Sequence, residues 1–359
     1  MSVFVLLYFP FGYSIRSAMT VIALDVMGGD YAPDDIVKGA AWISLDTTID
    51  VILVGDEKKI TARLKELKHN PEHLSVYHAS QFIRMDESPK EAIEKKPDAS
   101  ILAAARLVKE GKAEALVSAG NTGACIMACA KTFTKIPGIH KAALASVYPT
   151  ETRRGKKNDP FSLILDVGAT INVTANDLVT FAIMGSSYAA RISRNPRPRV
   201  AILSNGTEEM KGTAEIVDAY RMLKDYKKIN FVGNIEGIDI PRGIADVVVC
   251  SGFTGNIVLK MLEGVSDTVM ELARYAYKTS YLWKFGLMML RGAISQLKDI
   301  TDWEQYGGAP LLGFESLFIK AHGRSKARAT ANAIKVAAKA ASSGLIKDIS
   351  ATIKDFSFV

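Results

Sequence analysis

The feature that most constrains this chain is a recurrence. Short apolar runs of strand length stand at 21–24, 51–54, 115–117, 163–165, 200–203 and 247–249. Helix-length periodic segments lie between them, among them 99–109, 178–192 and 214–223. Strands alternating with helices predict a mostly parallel sheet covered on both faces. The run "DVVVC" at 246–250 lacks any polar alternation, as burial on both faces requires.

Most of the apolar runs end in a glycine turn. "ALDVMGGDYAPDD" (23–35) places Gly28 and Gly29 between Asp25 and Asp30. "VSAGNTGA" (117–124), "LDVGATIN" (165–172), "LSNGTEEMKG" (203–212) and "CSGFTGNIV" (250–258) follow other runs. In an open parallel sheet, ligands bind beyond the carboxyl ends of the strands. Helix N-termini there present free N–H groups and partial positive charge, and small residues admit an anion to the backbone. These turns are therefore expected at one sheet edge, as a phosphate cradle. No turn is a P-loop and none is G-x-G-x-x-G, so a dinucleotide is not indicated. Each glycine alone is equally a plain turn residue.

Composition narrows the class. The 359 residues are 48% hydrophobic and 23% charged, enough apolar content for a sizeable core. The net charge of +7 suits acidic partners but is too dispersed to indicate nucleic acid. Cys125, Cys129 and Cys250 are an odd set without secreted spacing, read as reduced, buried thiols in the cytoplasm. The five histidines form no ligand pattern, so neither a metal nor a cofactor is expected. Residues 1–18 stand apart as an extension. Their apolar run is broken by Pro10 and Gly12, and an over-long start ahead of Met19 is the reading preferred to a signal peptide. Residues 19–345 are expected as one α/β/α catalytic domain, with a helical segment near 257–298 and a tail at 346–359. The polar stretch at 150–160 reads as an exposed insertion.

No nucleophile motif accompanies the turns, neither a G-x-S-x-G elbow nor a Cys–His pairing. Chemistry in which phosphate itself is the nucleophile needs none. The protein then holds phosphate, aligns it and stabilises an oxyanion.

Seven ordered motifs now converge: "IALDVMGGDYAP", "MDESPKEAI", "VSAGNTGA", "LDVGA", "DVVVCSGFTGNIVLK", "YGGAPLLG" and "IKAHGRS". Over residues 20–340 the chain resembles the PlsX-type phosphate acyltransferases of bacterial phospholipid synthesis. The resemblance implies a Rossmann-like three-layer α/β/α fold akin to phosphotransacetylases and isocitrate dehydrogenases. It implies the reaction of an acylated acyl carrier protein with inorganic phosphate, giving acyl phosphate and free carrier. It also implies a homodimer and peripheral contact with an anionic membrane. The chain departs from the family at Ser251, where Asp is common, and at Thr170, where Asn is common. Rival readings are an acetyl- or butyryltransferase using acyl-CoA, a dehydrogenase needing NAD and metal, and a non-catalytic membrane scaffold.

With that context, Asn121 and Thr122 are expected as donors to phosphate or the thioester oxygen, against a plain capping role. Asp25, Gly28, Gly29, Asp30, Ser118, Gly120, Gly123, Gly168, Gly252, Thr254, Gly255 and Asn256 complete the expected phosphate cradle. Asp25 and Asp30 would repel phosphate if both faced it, so at least one is structural. Lys211, Lys260, His322 and Arg324 are the candidate cations, with Lys260 catalytic and His322 the acid toward the leaving thiolate. Arg153, Arg154, Lys156 and Lys157 form a candidate docking surface for an acidic carrier, or a solvated loop. In the window 281–298, Lys284, Arg291 and Lys298 form one stripe opposite Leu282, Trp283, Phe285, Leu290 and Ile294. That pattern reads equally as a membrane-surface helix or a dimer interface.

Overall fold

A computed structural model describes residues 20–154, 159–279, 284, 286, 288–290 and 307–356. The first half comprises β1 (Val21–Asp25), α1 (Asp34–Asp46), β2 (Asp50–Gly55), α2 (Glu57–Lys65), β3 (Leu74–His78), α3 (Pro89–Lys95), α4 (Ser100–Lys109), β4 (Ala115–Ser118) and α5 (Thr122–Thr132). Then come β5 (Ala143–Arg154), β6 (Asp159–Leu165), α6 (Ala175–Arg191), β7 (Arg199–Leu203), α7 (Ala214–Asp225), β8 (Asn230–Ile235), α8 (Asp239–Arg242), β9 (Val247–Val249) and α9 (Gly252–Thr279). The chain closes with β10 (Ala309–Leu312), β11 (Leu317–Lys320), α10 (Ala327–Ser342) and α11 (Leu345–Asp355).

The strands form one 11-stranded sheet in the order β3-β2-β1-β4-β11-β10-β5-β6-β9-β7-β8. Side chains on successive β1 residues enter opposite cores, because strand side chains alternate faces. Ile22 and Leu24 join Ile36, Val37 and Ala40 of α1 with Ala333, Ile334 and Ala337 of α10. Ala23 joins Ala103 and Ala104 of α4 with Cys125 and Cys129 of α5. The three-layer α/β/α expectation holds. Each fully buried Leu or Ile contributes about 1.5–3 kcal/mol to keeping these layers together.

The sheet is mostly parallel, as expected, but its two parallel blocks do not run the same way. β3, β2, β1, β4 and β11 are mutually parallel. β10 is antiparallel to both β11 and β5, and β5 is antiparallel to β6. β6, β9, β7 and β8 are again mutually parallel. Three successive reversals separate β11 from β6, so the two parallel blocks point oppositely. The carboxyl ends of β1, β4 and β11 lie at one sheet edge, and those of β6, β9 and β7 at the other. The glycine turns therefore do not share one edge. The reason is the β5–β6 hairpin, which the polar composition of 150–160 concealed. The ladder is still paired at Arg154 and Asp159, where an exposed insertion was expected.

The segment from 346, expected as a tail, is mostly helix. Leu345, Ile349 and Ile353 recur every four residues and are buried in one core. Asp348 pairs with Arg191 of α6. Residues 1–18 lie outside the described residues. Among the described residues, no helix is long and apolar enough to cross a membrane.

Candidate active site

The row that ends the first parallel block carries three polar side chains. Asp25 of β1 stands beside Ser118 of β4, and Ser118 beside Lys320 of β11. All three are buried. Asp25 accepts one hydrogen bond from Ser118 Oγ at 2.6 Å and another from Ser100 Oγ, also at 2.6 Å. Burial nevertheless raises its carboxyl above the ordinary range, outweighing those bonds and the attraction of Lys320. Burial likewise lowers the Lys320 ammonium, against the pull of Cys125, Asp25 and Asp30. Asp25 is thus the structural member of the Asp25–Asp30 pair, since its oxygens serve the serines.

Gly28 explains the paired glycines of the first turn. A Cβ there would sit 2.6 Å from Asp25 Oδ2 and 2.8 Å from Gly120 Cα. Only a bare backbone lets the 28–30 and 118–121 turns pass each other. The chain then ties back through Asp30 N–H, which donates to Gly323 O at 2.9 Å. Three turns are thereby joined at this edge.

Asn121 takes the capping role that the sequence offered as the alternative to an oxyanion donor. Its Oδ1 accepts from Ala124 N–H at 3.1 Å, the N-cap of α5. Its Nδ2 donates to Met85 O at 3.0 Å and to Glu87 O at 3.3 Å. Its amide is engaged on both sides, so Asn121 clamps α5 to the 85–87 turn beside the cavity-lining Thr122 and Gly123.

At the opposite edge Asp166 organises the turn after β6. Its Oδ1 accepts from Leu144, Gly168 and Ala169 N–H at 2.9–3.0 Å. Its Oδ2 accepts from Thr170 N–H at 2.7 Å and Thr170 Oγ at 2.8 Å. Thr170 Oγ in turn accepts from Gly252 N–H at 3.3 Å. Gly255 presses so close that a Cβ would lie 1.9 Å from Asp166 O. Ser251 caps α9 by accepting from Thr254 N–H at 3.2 Å. Ser251 and Thr170, the two departures from the family pattern, are thus both hydrogen-bonded parts of one helix start. Gly252, Thr254 and Gly255 belong to that start and do not line the cavity described next.

A cavity of about 560 Å³ lies between the two edges. Helix α9 starts at the second edge and reaches the first, so that Lys260 and Glu263 approach His322 and Arg324. Asp30, Thr122, Gly123, Gly168, Asn256, Lys260 and His322 line the cavity, joined by Lys320, Arg324 and Ser325. Its apolar wall is aliphatic: Leu144, Val147, Val167, Leu259 and Ala309. Lys260 is paired with Glu263 at 2.7 Å, which reduces its free positive charge. His322 Nδ1 accepts from Arg324 N–H at 3.2 Å, which places the neutral ring's proton on Nε2. Burial pushes the His322 imidazole below its ordinary value, ahead of the charges around it. Cys125 is buried and pushed up to about 11. Cys129 and Cys250 are also raised by burial, so none of the three is a poised thiolate.

Lys211, on the turn after β7, does not line the cavity. Asp25, Gly28, Gly29, Ser118 and Gly120 do not line it either, and pack against one another and beside Lys320 at the end of the first block. Lys320 was not singled out by the sequence. The available signal was a lysine closing the apolar run "LFIK" directly before "AHG". Of the membrane-segment residues, Leu290 is exposed, while Leu282, Trp283, Phe285 and Ile294 lie outside the described residues.

Comparison with known proteins is consistent with this geometry. A profile of the family described as "Fatty acid synthesis protein" matches residues 20–348. A phosphate acyltransferase of Heliobacterium modesticaldum is 44% identical over 317 residues, covering 88% of this chain and 92% of the relative. One of Pelotomaculum thermopropionicum is 42% identical over 334 residues, covering 93% and 95%. Among solved structures, a phosphotransacetylase from Streptococcus pyogenes aligns with a TM-score of 0.61 at 16% identity, covering 90% of this chain and 94% of that one. A branched-chain phosphotransacylase from Enterococcus faecalis V583 aligns at 0.54 and 16% identity, covering 90% and 99%. At such identities these structures speak for the fold alone. With the profile and the relatives each spanning about nine-tenths of its length, the chain belongs to the fatty acid synthesis protein family, as an acyltransferase of the PlsX type.

Proposed function

We propose that this enzyme transfers an acyl group from an acyl carrier protein thioester to inorganic phosphate. A phosphate oxygen attacks the thioester carbonyl carbon, and the C–S bond breaks. The acyl phosphate forms, and the proton of hydrogen phosphate ends on the released thiol. The observation that carries this reading is the two-sided cavity, with Lys320, Arg324 and His322 at one corner and an aliphatic wall beside them. A dianion fits the first and an acyl chain the second. The buried, raised thiols support direct attack without an acyl-enzyme. His322, neutral with its proton on Nε2, suits a hydrogen bond to the carbonyl oxyanion better than protonation of a thiolate, whose own pKa is near 8.5. The net charge of +7 favours an acidic carrier as donor.

Helix α9 supports an assembly. Of its 28 residues only Gly252 and Gly255 are buried. Ile257, Met261, Val265, Val269 and Leu272 expose an apolar stripe at spacings of three or four. A second copy of the chain is the occupant inferred, with the anionic membrane meeting the segment beyond.

The test is release of free thiol by the purified protein from acyl carrier protein or acyl-CoA thioesters, with and without phosphate. Phosphate-dependent release from the carrier thioester is expected. Release from acyl-CoA alone would replace the donor. No release from either would leave a scaffold.

A further inference from the structure

Four buried side-chain nitrogen or oxygen atoms lack a hydrogen-bond partner among the described residues: Arg63 Nε, Asn234 Oδ1, Ser325 Oγ and Thr330 Oγ1. Only Ser325 belongs to the cavity lining. It is 1% exposed. A buried hydroxyl without a partner forfeits about 1–3 kcal/mol unless something else satisfies it. Ser325 also sits just before Lys326, the N-cap residue of α10, a helix of 16 residues. That helix starts without a side-chain cap and without an acidic residue in its first turn. Its first turn therefore presents N–H groups and a partial positive charge with no carboxylate of its own, while Asp30 and Glu263 line the cavity nearby. Ala329, in the same turn, lines the cavity, as do Arg324 and Lys320.

We infer that Ser325 and the first turn of α10 form the subsite for a dianionic phosphate group, with Arg324 and Lys320 supplying charge. This rests on the transfer reaction proposed above for its chemical context, though the site itself needs only an anion. Ser325 Oγ donates one hydrogen bond to a phosphate oxygen. The helix N–H groups donate to the other phosphate oxygens, as at other helix N-termini that bind phosphate. Two phosphates could use it: the attacking inorganic phosphate, or the phosphodiester of the donor's phosphopantetheine arm. The corner follows β11, whose carboxyl end lies with those of β1 and β4, so the proposed cradle is at the first sheet edge.

The test is Ser325→Ala in the full chain. Removing an oxygen that bonds none of the described residues leaves the fold intact, so the melting temperature without ligand is expected to hold or rise. The Michaelis constant for inorganic phosphate is expected to rise about 10- to 100-fold, the loss of one hydrogen bond to a charged group. A rise confined to the thioester donor would support the subsite and assign it to the phosphopantetheine phosphate. Direct binding separates the site from the reaction. Inorganic phosphate is expected to raise the wild-type melting temperature, and Ser325→Ala to reduce that gain. Were wild type to lack turnover yet show this Ser325-dependent gain, the subsite would stand and the reaction would fall. Unchanged Michaelis constants for both substrates, with an unchanged phosphate-induced gain, would overturn the subsite while the reaction stood.

Discussion

Asp25 and Asp166 occupy matching places in the two parallel blocks: each follows a buried apolar run and precedes a glycine turn. Their environments differ. Asp25 accepts two side-chain hydroxyls and lies within electrostatic reach of a buried lysine. Asp166 accepts five bonds, four of them from backbone N–H groups. Asp25 therefore sets the charge and position of groups behind the cavity, while Asp166 holds the shape of a loop and the start of α9. One sequence pattern, Asp then Gly after a buried strand, performs two jobs because different donors converge on it.

The largest expected effect breaks the loop-builder. Asp166→Ala leaves four N–H groups without their acceptor, at about 1–3 kcal/mol each where they stay buried. Stability should fall by about 3–5 kcal/mol, read from the urea midpoint. A midpoint near wild type would erase the distinction between the two aspartates.

Next is Lys320→Met. Loss of a preorganised charge at the cavity should lower kcat/KM by about 10²-fold. Stability should hold or rise, because burying an ammonium is unfavourable. The sign with pH follows from the lowered value. Between it and 10.5 the unfolded chain binds the extra proton, so wild-type stability rises with pH across that window and loses this gain as pH falls. For Asp25 the sign reverses. Its raised value means stability is fullest below 3.8 and is lost as pH rises through the folded value. Asp25→Asn should flatten the acid window and Lys320→Met the alkaline one. Denaturation midpoints across pH that move together in both variants would mean the groups act as one.

Asn121→Ala should cost about 0.5–2 kcal/mol of stability, the range for a lost N-cap. Its effect on turnover should be smaller than that of Lys320→Met, since its polar atoms are engaged by α5 and the 85–87 turn. A larger kinetic loss than Lys320→Met would restore the oxyanion role.

The smallest effect sharpens the contrast between edges. Lys211→Ala, at the second edge and outside the cavity lining, should change the Michaelis constant for phosphate by less than about twofold, as expected of a surface charge. A tenfold rise would relocate the phosphate to the second edge.

The layers were legible because apolar runs and helical periodicity are local properties, and each strand's burial is written in its own residues. Runs such as 247–249 announced a strand buried on both faces. The site was legible only in part. Thr122, Gly123, Gly168, Asn256, Lys260 and His322, all singled out along the chain, do line one cavity. Asn121 stayed ambiguous along the chain because a cap and an oxyanion donor use the same residue at the same position. Lys320 and Ser325 passed unremarked because neither the burial of a lysine nor the solitude of a hydroxyl is visible along a chain.

By itself, then, the sequence determined the family, the α/β alternation and the glycine turns, all set by residues close in the chain. Tertiary structure alone decided that the turns open at opposite edges. That outcome hangs on the antiparallel β10, β5 and β6 pairings, between segments as distant as Leu144 and Leu311. Pairings of such separation are chosen by which surfaces bury together across the whole sheet, and they place the corner of Lys320, His322 and Ser325 opposite the start of α9.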